Sequence, residues 1–412
     1  MMRHAGYQAG FSTMGFVLLL ALSACSLLPA QALTSVPQSA SPTSTFVIPA
    51  TQSAIPKIWT RSAVPKPSPV VTAAPSATAL AYVPSTSLRM VDLHFGWGVG
   101  EGRVLRTVNG GQTWEDITPK DMPSGSSVYP QVVGIDAQSA WVLIQDSKDY
   151  NHGTLYRTSD GGQNWEAAAV PFGGGFIQLL DAKTGWVLAD RGAAAGSMAV
   201  DLFHTNNGGT TWILDYAIDP QKPENSSLPF SGGKTGMTFR DSMHGWVVGI
   251  VPVEGITYLY ATEDGGKNWK AIQLSLPAGL KKSQTSLEVP QFFDDKSAIL
   301  PVHLYNGGPI VTIYVSRDGG ANWLATQPVN SYGPVTAPTK NDFIIWDGGT
   351  LHFSHDAGQS WKELTPNINL NQKIGSLQFI NPMTGWALSY DGNTSQLYRT
   401  SDGGQTWERL SK

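Results

Sequence analysis

The chain has little cysteine and little charge. Cys25 is the only cysteine among 412 residues, so no disulfide can form within the chain, and a disulfide-stapled fold is excluded. Charged residues make up 14% of the chain, with 27 Lys and Arg against 31 Asp and Glu, which gives a net charge of −4. Because nucleic-acid binding needs a basic excess, no nucleic acid is expected as a partner.

The composition also leaves little room for helices. The chain holds 44 glycines and 27 prolines, and 41% of its residues are apolar. Glycine and proline disfavour helix interiors and are frequent in turns, whereas the apolar content suffices for a large core. The composition therefore predicts an all-β fold that is rich in turns.

An eight-residue pattern, Ser/Thr-x-Asp/Asn-x-Gly-x-x-Trp, recurs seven times. Its closing tryptophans are about 49 residues apart on average, a period in the range expected of propeller blades. A short Asp or Asn side chain can accept hydrogen bonds from nearby backbone N–H groups, and the following glycine supplies the positive φ of a tight turn. The pattern therefore predicts structural turns at Asn109, Asp160, Asn207, Asp264, Asp318, Asp356 and Asp402.

Two further signals precede these turns. A strand led by Trp, such as the one that starts at Trp386, precedes the turn in five of the seven units, and a strand ending in Leu-Tyr-Arg-Thr or a relative leads into the turn. With an apolar first strand and a Trp-led last strand, each unit has four short strands. Seven such antiparallel units predict a seven-bladed β-propeller.

The first 85 residues differ from the repeats. Residues 1–25 contain a short apolar run followed by Leu22-Ser23-Ala24-Cys25, which resembles a bacterial lipobox. The resemblance implies a lipoprotein signal peptide with Cys25 as the lipidation site, and a plain signal peptide is the alternative. Residues 26–85 are rich in Pro, Ser, Thr and Ala, which predicts a disordered stalk, so the propeller is expected over residues 86–412.

The order of the strands predicts two different faces of the ring. The loop between strands two and three lies on the same face as the crossover to the next blade, here called the variable face, and the repeated turns lie on the opposite, box face. Binding residues concentrate on irregular loops of rigid scaffolds, and aromatic and Arg side chains are frequent anchors. The predicted contact residues on the variable face are Asp146, Tyr150, His152, Arg191, Tyr305 and Tyr390.

The repeated turn is similar to the Asp-box, or BNR repeat, of sialidases, sortilin-type receptors and xyloglucan-active glycosidases. Together with the Trp-led strand, the unit resembles most the propeller of the photosystem II stability and assembly factor family, over about residues 88–412. This resemblance implies an exported or lumenal propeller that binds assembling membrane-protein subunits, without a catalytic centre and without a cofactor.

A sialidase-like glycosidase is the alternative. Such an enzyme needs three arginines to hold a carboxylate, a Tyr activated by Glu and an Asp acid/base. The Phe-Arg-Ile-Pro motif that usually supplies the first arginine is absent from the sequence. Arg106, Arg157 and Arg399 share one repeated position beside the turn, which favours a structural role over the tryptophans. Because Asn109 and Asn207 fill the Asp position without charge, no metal site is predicted at the turns.

These observations predict a monomeric, lipid-anchored, extracytoplasmic propeller attached to the cell membrane, or to an outer membrane if the cell has one. We expect it to act as a protein-binding assembly scaffold through the variable face, with a membrane-protein complex as one class of partner. A cell-surface glycan-binding protein or glycosidase is the second hypothesis, and a stalked structural module without a small ligand is the third.

Overall fold

The structure is a computed structural model that describes residues 84–125, 129–222, 226–370, 374–391 and 394–410. Cys25, the signal segment and the stalk up to residue 83 lie outside the described residues, so the predictions about them stay predictions. Within the described ranges the regular elements are β-strands, and no helix there is long and apolar enough to cross a membrane.

The strands are numbered β1 to β29 in chain order. Blades 1 to 3 comprise β1 (Ser87–Met90), β2 (Gly96–Gly100), β3 (Arg103–Thr107), β4 (Glu115–Asp116); β5 (Gln131–Gly134), β6 (Ala140–Gln145), β7 (Gly153–Thr158), β8 (Glu166–Val170); and β9 (Gly175–Leu179), β10 (Gly185–Ala194), β11 (Ser197–Thr205), β12 (Ile213–Ala217). Blades 4 and 5, with the strand between them, comprise β13 (Gly233–Phe239), β14 (Gly245–Val251), β15 (Tyr258–Thr262), β16 (Lys270–Ala271); β17 (Gln284–Leu287); and β18 (Gln291–Phe292), β19 (Ala298–Tyr305), β20 (Pro309–Ser316), β21 (Leu324–Ala325). Blades 6 and 7 comprise β22 (Val335–Thr336), β23 (Phe343–Trp346), β24 (Leu351–Ser354), β25 (Lys362–Leu364); and β26 (Ile374–Asn381), β27 (Thr384–Asp391), β28 (Thr394–Thr400), β29 (Glu408–Arg409).

Each blade is an antiparallel sheet of four strands that pair in chain order. The all-β fold class and the four-stranded antiparallel blades predicted from the repeats are therefore confirmed. One strand was not predicted: β17 pairs with β14 of blade 4 and with β19 of blade 5, so these two blades belong to one nine-stranded sheet. The crossover between blades 4 and 5 is thus partly a strand rather than an irregular loop.

The variable face is also more regular than predicted at blade 3. The sequence predicts an irregular loop over residues 190–198, but β10 and β11 extend through this range as a hairpin with a bulge between Asp190 and Ala193. The hairpin reaches the next crossover, where Ser197 forms a parallel bridge with Gly232. Backbone hydrogen bonds to this neighbouring segment explain why the two strands of the hairpin are longer than predicted. The residue pattern of one strand cannot reveal a partner that lies elsewhere in the chain.

The core lies between the blades rather than within them. Seven buried hydrophobic clusters each draw side chains from two neighbouring blades, so every seam has its own core. The tryptophans of the second strands are buried there, with Trp97 at 1% and Trp386 at 0% exposure. At the first seam the fit requires a glycine, because a Cβ atom at Gly134 would lie 2.1 Å from Cδ1 of Trp97.

The ring closes between blades 7 and 1 through side chains. Trp386 Nε1 donates a hydrogen bond to the Gly110 carbonyl at 2.8 Å, as Trp97 Nε1 does to the Asp136 carbonyl at the next seam. Gln378 bridges the same closing seam by bonding both backbone groups of Met90. No strand is shared between blades 7 and 1 in the described residues, so each of these two blades is built from one contiguous segment.

Candidate binding face

The repeated turns of the box face satisfy their own polar groups. In the second blade, Asp160 Oδ1 accepts hydrogen bonds from the Thr158 hydroxyl at 2.8 Å and from the Asn164 N–H at 3.0 Å, while Gly162 N–H donates to Thr158 Oγ1 at 2.9 Å. The same three bonds recur in the turns of Asn109, Asn207, Asp264, Asp318, Asp356 and Asp402. The side chains at these seven positions are therefore engaged in hydrogen bonds within their own turns, and their structural role stays a prediction.

The carboxylates of these turns are held in the ionised form. Hydrogen bonds lower the pKa of Asp160 to about 2, and the bond from the Asn164 N–H has the largest effect. The pKa of Asp356 is also lowered to about 2, mainly by the hydrogen bond from the Ser360 hydroxyl. Their contribution to stability is present above the ordinary Asp pKa and is lost as the pH falls toward 2. Among the described residues, no group of three or more His, Cys, Asp or Glu side chains lies together as a metal site would require.

The asparagine turns suggest a direct test of this structural role. Asp402 Oδ2 accepts a hydrogen bond from the Thr406 hydroxyl at 2.6 Å, whereas Asn109 Nδ2 donates to the equivalent Thr113 hydroxyl at 2.9 Å. We therefore expect Asp402→Ala to lower the free energy of unfolding by about 1 kcal/mol and Asp402→Asn to leave it near the wild-type value, as measured by urea denaturation. If the Asn variant is as unstable as the Ala variant, the charge of Asp402 matters and the interpretation is wrong.

The arginines beside the turns connect neighbouring blades. The Arg106 guanidinium lies 5.7 Å from the centre of the Trp97 ring and donates to the Ala137 carbonyl of blade 2 at 2.7 Å. Arg157 donates to a carbonyl of the blade 3 turn at 2.8 Å, and Arg399 lies 5.5 Å from the Trp386 ring. Cation–π contact and bonds to the next blade give these arginines the structural role expected from their repeated position.

The hairpins between second and third strands share their face with the crossovers, as the strand order predicts. In blade 4, Gly255 N–H donates to the Ser283 carbonyl of the next crossover at 2.9 Å. In blade 5, Asn306 Nδ2 donates to the Gly279 carbonyl of the same crossover at 3.2 Å. Through these contacts the hairpins and crossovers of the variable face support one another.

Four of the six predicted contact residues present their side chains to solvent on this face. Tyr150 and Tyr305 are 67% and 59% exposed, and each stands at the tip of a hairpin. Asp146 accepts a hydrogen bond from the Lys148 N–H at 2.8 Å, and His152 Nδ1 lies 2.7 Å from a carboxylate oxygen of Asp149. The two tyrosines lie on blades 2 and 5, so the structure does not bring these four residues into one pocket.

The other two predicted residues are occupied by internal contacts. Arg191 Nε donates to Asp201 at 2.7 Å, while its two terminal nitrogens donate to the carbonyls of Asn151 at 3.0 Å and Pro171 at 2.8 Å. It thereby fastens the blade 2 hairpin to blade 3. Tyr390 is half-buried against the cluster at the closing seam, and this burial raises its pKa. A binding role for either residue stays a prediction.

Sequence reasoning missed several exposed side chains on this face. Tyr129 and Tyr332 are 60% and 58% exposed in crossovers, and Val253 and Ile256 are 54% and 49% exposed in the blade 4 hairpin. The strand order predicts that the crossovers and hairpins form the variable surface, but the exposure of one side chain within them depends on packing with other blades. The face therefore combines tyrosines and aliphatic residues contributed by several blades.

No protein-family model matches the chain. The chain is 26% identical to photosystem II assembly lipoprotein Ycf48 of Synechococcus sp. (strain CC9902) over 284 residues. This alignment covers 66% of this chain and 72% of that protein. A solved structure of YCF48 bound to D1 peptide superposes with a TM-score of 0.51, covering 79% of this chain and 99% of the other at 20% identity. The chain is therefore similar to Ycf48 in sequence and has the β-propeller fold of the YCF48 structure. YCF48 from Cyanidioschyzon merolae has the same fold, with a TM-score of 0.51 over 78% of this chain and 97% of the other at 17% identity.

In this propeller the charged residues that line the central channel do not converge. Arg89, Arg240 and Glu288 are the charged residues of the described channel lining. Glu288 Oε1 lies 2.6 Å from His303 Nε2, and Arg240 donates to the Gly319 carbonyl at 2.9 Å. The three arginines and paired acids that a sialidase-like site requires are therefore not assembled in the described lining.

Proposed function

We propose that this protein is a lipid-anchored, extracytoplasmic scaffold that binds a protein partner through its variable face. The observation that carries the proposal is the set of tyrosines that this face exposes from two hairpins and two crossovers: Tyr129, Tyr150, Tyr305 and Tyr332. Tyrosine supplies a large apolar ring with a polar tip and few rotatable bonds, and it is enriched at protein interfaces. A rigid ring that holds four such side chains suits recognition of a protein surface or an extended segment.

The similar proteins support a membrane-protein partner. The curated relative is named a photosystem II assembly lipoprotein, and one of the similar solved structures is of YCF48 bound to D1 peptide. We infer that this chain acts in an assembly role of the same kind, on a segment of a membrane-protein subunit. A lipid anchor at Cys25 would keep the scaffold at the membrane surface where such a subunit is exposed.

The contacts of Ser85 locate the point at which the chain enters the propeller. Ser85 N–H donates to the Val99 carbonyl at 2.8 Å, and the Ser85 hydroxyl accepts a hydrogen bond from the Glu101 N–H at 3.3 Å. Both contacts are with the end of β2 and the turn that follows it, so the chain enters on the variable face. The segment that precedes Ser85 in the chain therefore joins the propeller on the side of the proposed binding face.

Binding of a D1 peptide to the full chain tests the proposal. Changing Tyr150, Tyr305 and Tyr332 together to alanine should raise the Kd at least tenfold in biolayer interferometry, because truncation of aromatic anchors commonly costs more than about 1 kcal/mol each. The stability of the triple variant should be unchanged, since all three rings are mostly exposed.

The matched control changes three exposed apolar residues of the box face, Met243, Leu324 and Met383, to alanine. This control should bind the peptide as the wild type does. Equal Kd values for the two triple variants would contradict the assignment of the face. Binding of a polysaccharide instead of the peptide by the wild type would replace the proposal with the glycan-binding hypothesis.

A further inference from the structure

One register position on the innermost strand of every blade lines the central channel. Each residue there pairs across the sheet with the buried Trp of the second strand or with its counterpart in blades 5 and 6. The seven residues are Arg89, Val133, Gln178, Thr238, Gln291, Thr336 and Gln378. They are equivalent positions of one ring, and only the residue from blade 1 is charged.

At this position most polar side chains clamp the next blade. Gln378 accepts a hydrogen bond from the Met90 N–H at 2.8 Å and donates to the Met90 carbonyl at 2.7 Å. Equivalent bonds are made by Gln178 and Thr336 to the innermost strand of the next blade, and by Gln291 to the residue that directly follows that strand. The amide or hydroxyl at these positions is therefore used in closing the ring.

Arg89 departs from this pattern. Its guanidinium has no hydrogen bond, ion pair or ring contact with any residue in the described part of the chain. Water reaches it from within the channel, but protein surrounds it on the other sides, and the resulting desolvation lowers its pKa. Glu288 is the one acid in the described lining, and its carboxylate is already bonded to His303.

An unpaired guanidinium in such a channel is suited to one kind of ligand. The cavity has a volume of about 910 Å³, which accommodates a small molecule but not a folded segment. A guanidinium offers five N–H donors in a planar fork that matches the oxygens of a carboxylate or phosphate, and walls of low dielectric strengthen its field. We propose that the central channel binds one small oxyanion at Arg89, separately from any partner on the variable face.

Titration of the full chain with inorganic phosphate tests this proposal. Heat of binding is measured by isothermal titration calorimetry at constant ionic strength, with chloride as the balancing anion. The wild type should bind one phosphate, and Arg89→Gln should raise the Kd at least tenfold. Because the chain itself has Gln at this position in blades 3, 5 and 7, the variant should keep the fold, which near-UV circular dichroism checks.

Arg89→Lys is the second variant. It keeps the charge but lacks the planar fork, so its Kd should lie between those of the wild type and the Gln variant. The proposal is overturned if the wild type does not bind phosphate, or if Arg89→Gln binds it as tightly as the wild type does. If the Gln variant does not fold, unchanged binding by Arg89→Lys would likewise overturn recognition by the guanidinium fork.

Discussion

Replacement of Lys234 by methionine is expected to lower the free energy of unfolding by about 2–4 kcal/mol, because four backbone carbonyls would lose their donor. Lys234 is 4% exposed, and its Nζ lies 2.8 Å from the Met198 carbonyl oxygen and 2.6 Å from that of Pro229. The carbonyls of Phe230 and Gly232 lie at 3.1 and 3.2 Å. Methionine fills much of the same volume but offers no hydrogen, so the bent crossover would keep buried, unsatisfied oxygens.

Urea denaturation of the full chain measures this effect, and Lys270→Met is the matched control. The Lys270 side chain is 83% exposed, so its loss should change the free energy of unfolding by less than about 0.5 kcal/mol. A Lys234→Met variant as stable as this control would show that the four carbonyl contacts contribute nothing.

The same lysine should give the wild type a distinctive pH dependence. Burial lowers the pKa of Lys234 to about 8, below the ordinary lysine value. At a pH between these two pKa values, Lys234 is protonated in the unfolded chain and has lost its proton in the folded chain. The contribution of Lys234 to stability therefore rises with pH from about 8 upward. The stability difference between wild type and Lys234→Met should therefore increase over this range.

The second large effect is expected at the closing seam, where Trp386→Ala should destabilise the protein by about 3–5 kcal/mol. The Trp386 ring is fully buried among side chains of blades 7 and 1, and its Nε1 bonds the Gly110 carbonyl across the seam. The substitution would leave a cavity in that cluster and an unpaired carbonyl behind it.

Trp97→Ala provides the comparison, because Trp97 has the same burial and the same type of bond at the seam between blades 1 and 2. If the closing seam is held like the others, the two variants should have similar urea midpoints and m values. A much larger effect at Trp386 would mean that the closing seam is the weakest point of the ring.

The repeats were predictable because each turn is a local device. Thr158, Asp160 and Gly162 lie within five residues of one another, so the residue types alone specify the hydrogen bonds that form. The contacts of the repeated arginines agree with their expected structural role for the same reason, since Arg106 and Arg399 each directly precede the Thr that opens the turn. Local patterns of this kind fix the blade, and the blade repeated seven times fixes the ring.

Which side chains of the site form contacts within the protein, and which do not, could not be predicted in this way. Arginine is a residue type that often anchors a binding partner, and Arg191 lies in a hairpin of the variable face. Its guanidinium nevertheless donates hydrogen bonds to the carbonyls of Asn151 and Pro171, which lie outside its own blade. Arg89 is ordinary in sequence, and only the register of seven strands reveals that it stands where other blades have a clamp. Both outcomes depend on contacts between segments far apart in the chain, which periodicity does not encode.

The way the ring closes has a consequence for the order of the chain. Because side chains close the seam between blades 7 and 1, with no shared strand among the described residues, no blade of the described ring must be first or last for the propeller to assemble. A circular permutant that joins residues 84 and 410 through a flexible linker and opens the chain beside Lys222, in the crossover between blades 3 and 4, would keep every strand pairing within its blade. The order of the blades along the chain would then not be a requirement of their folding.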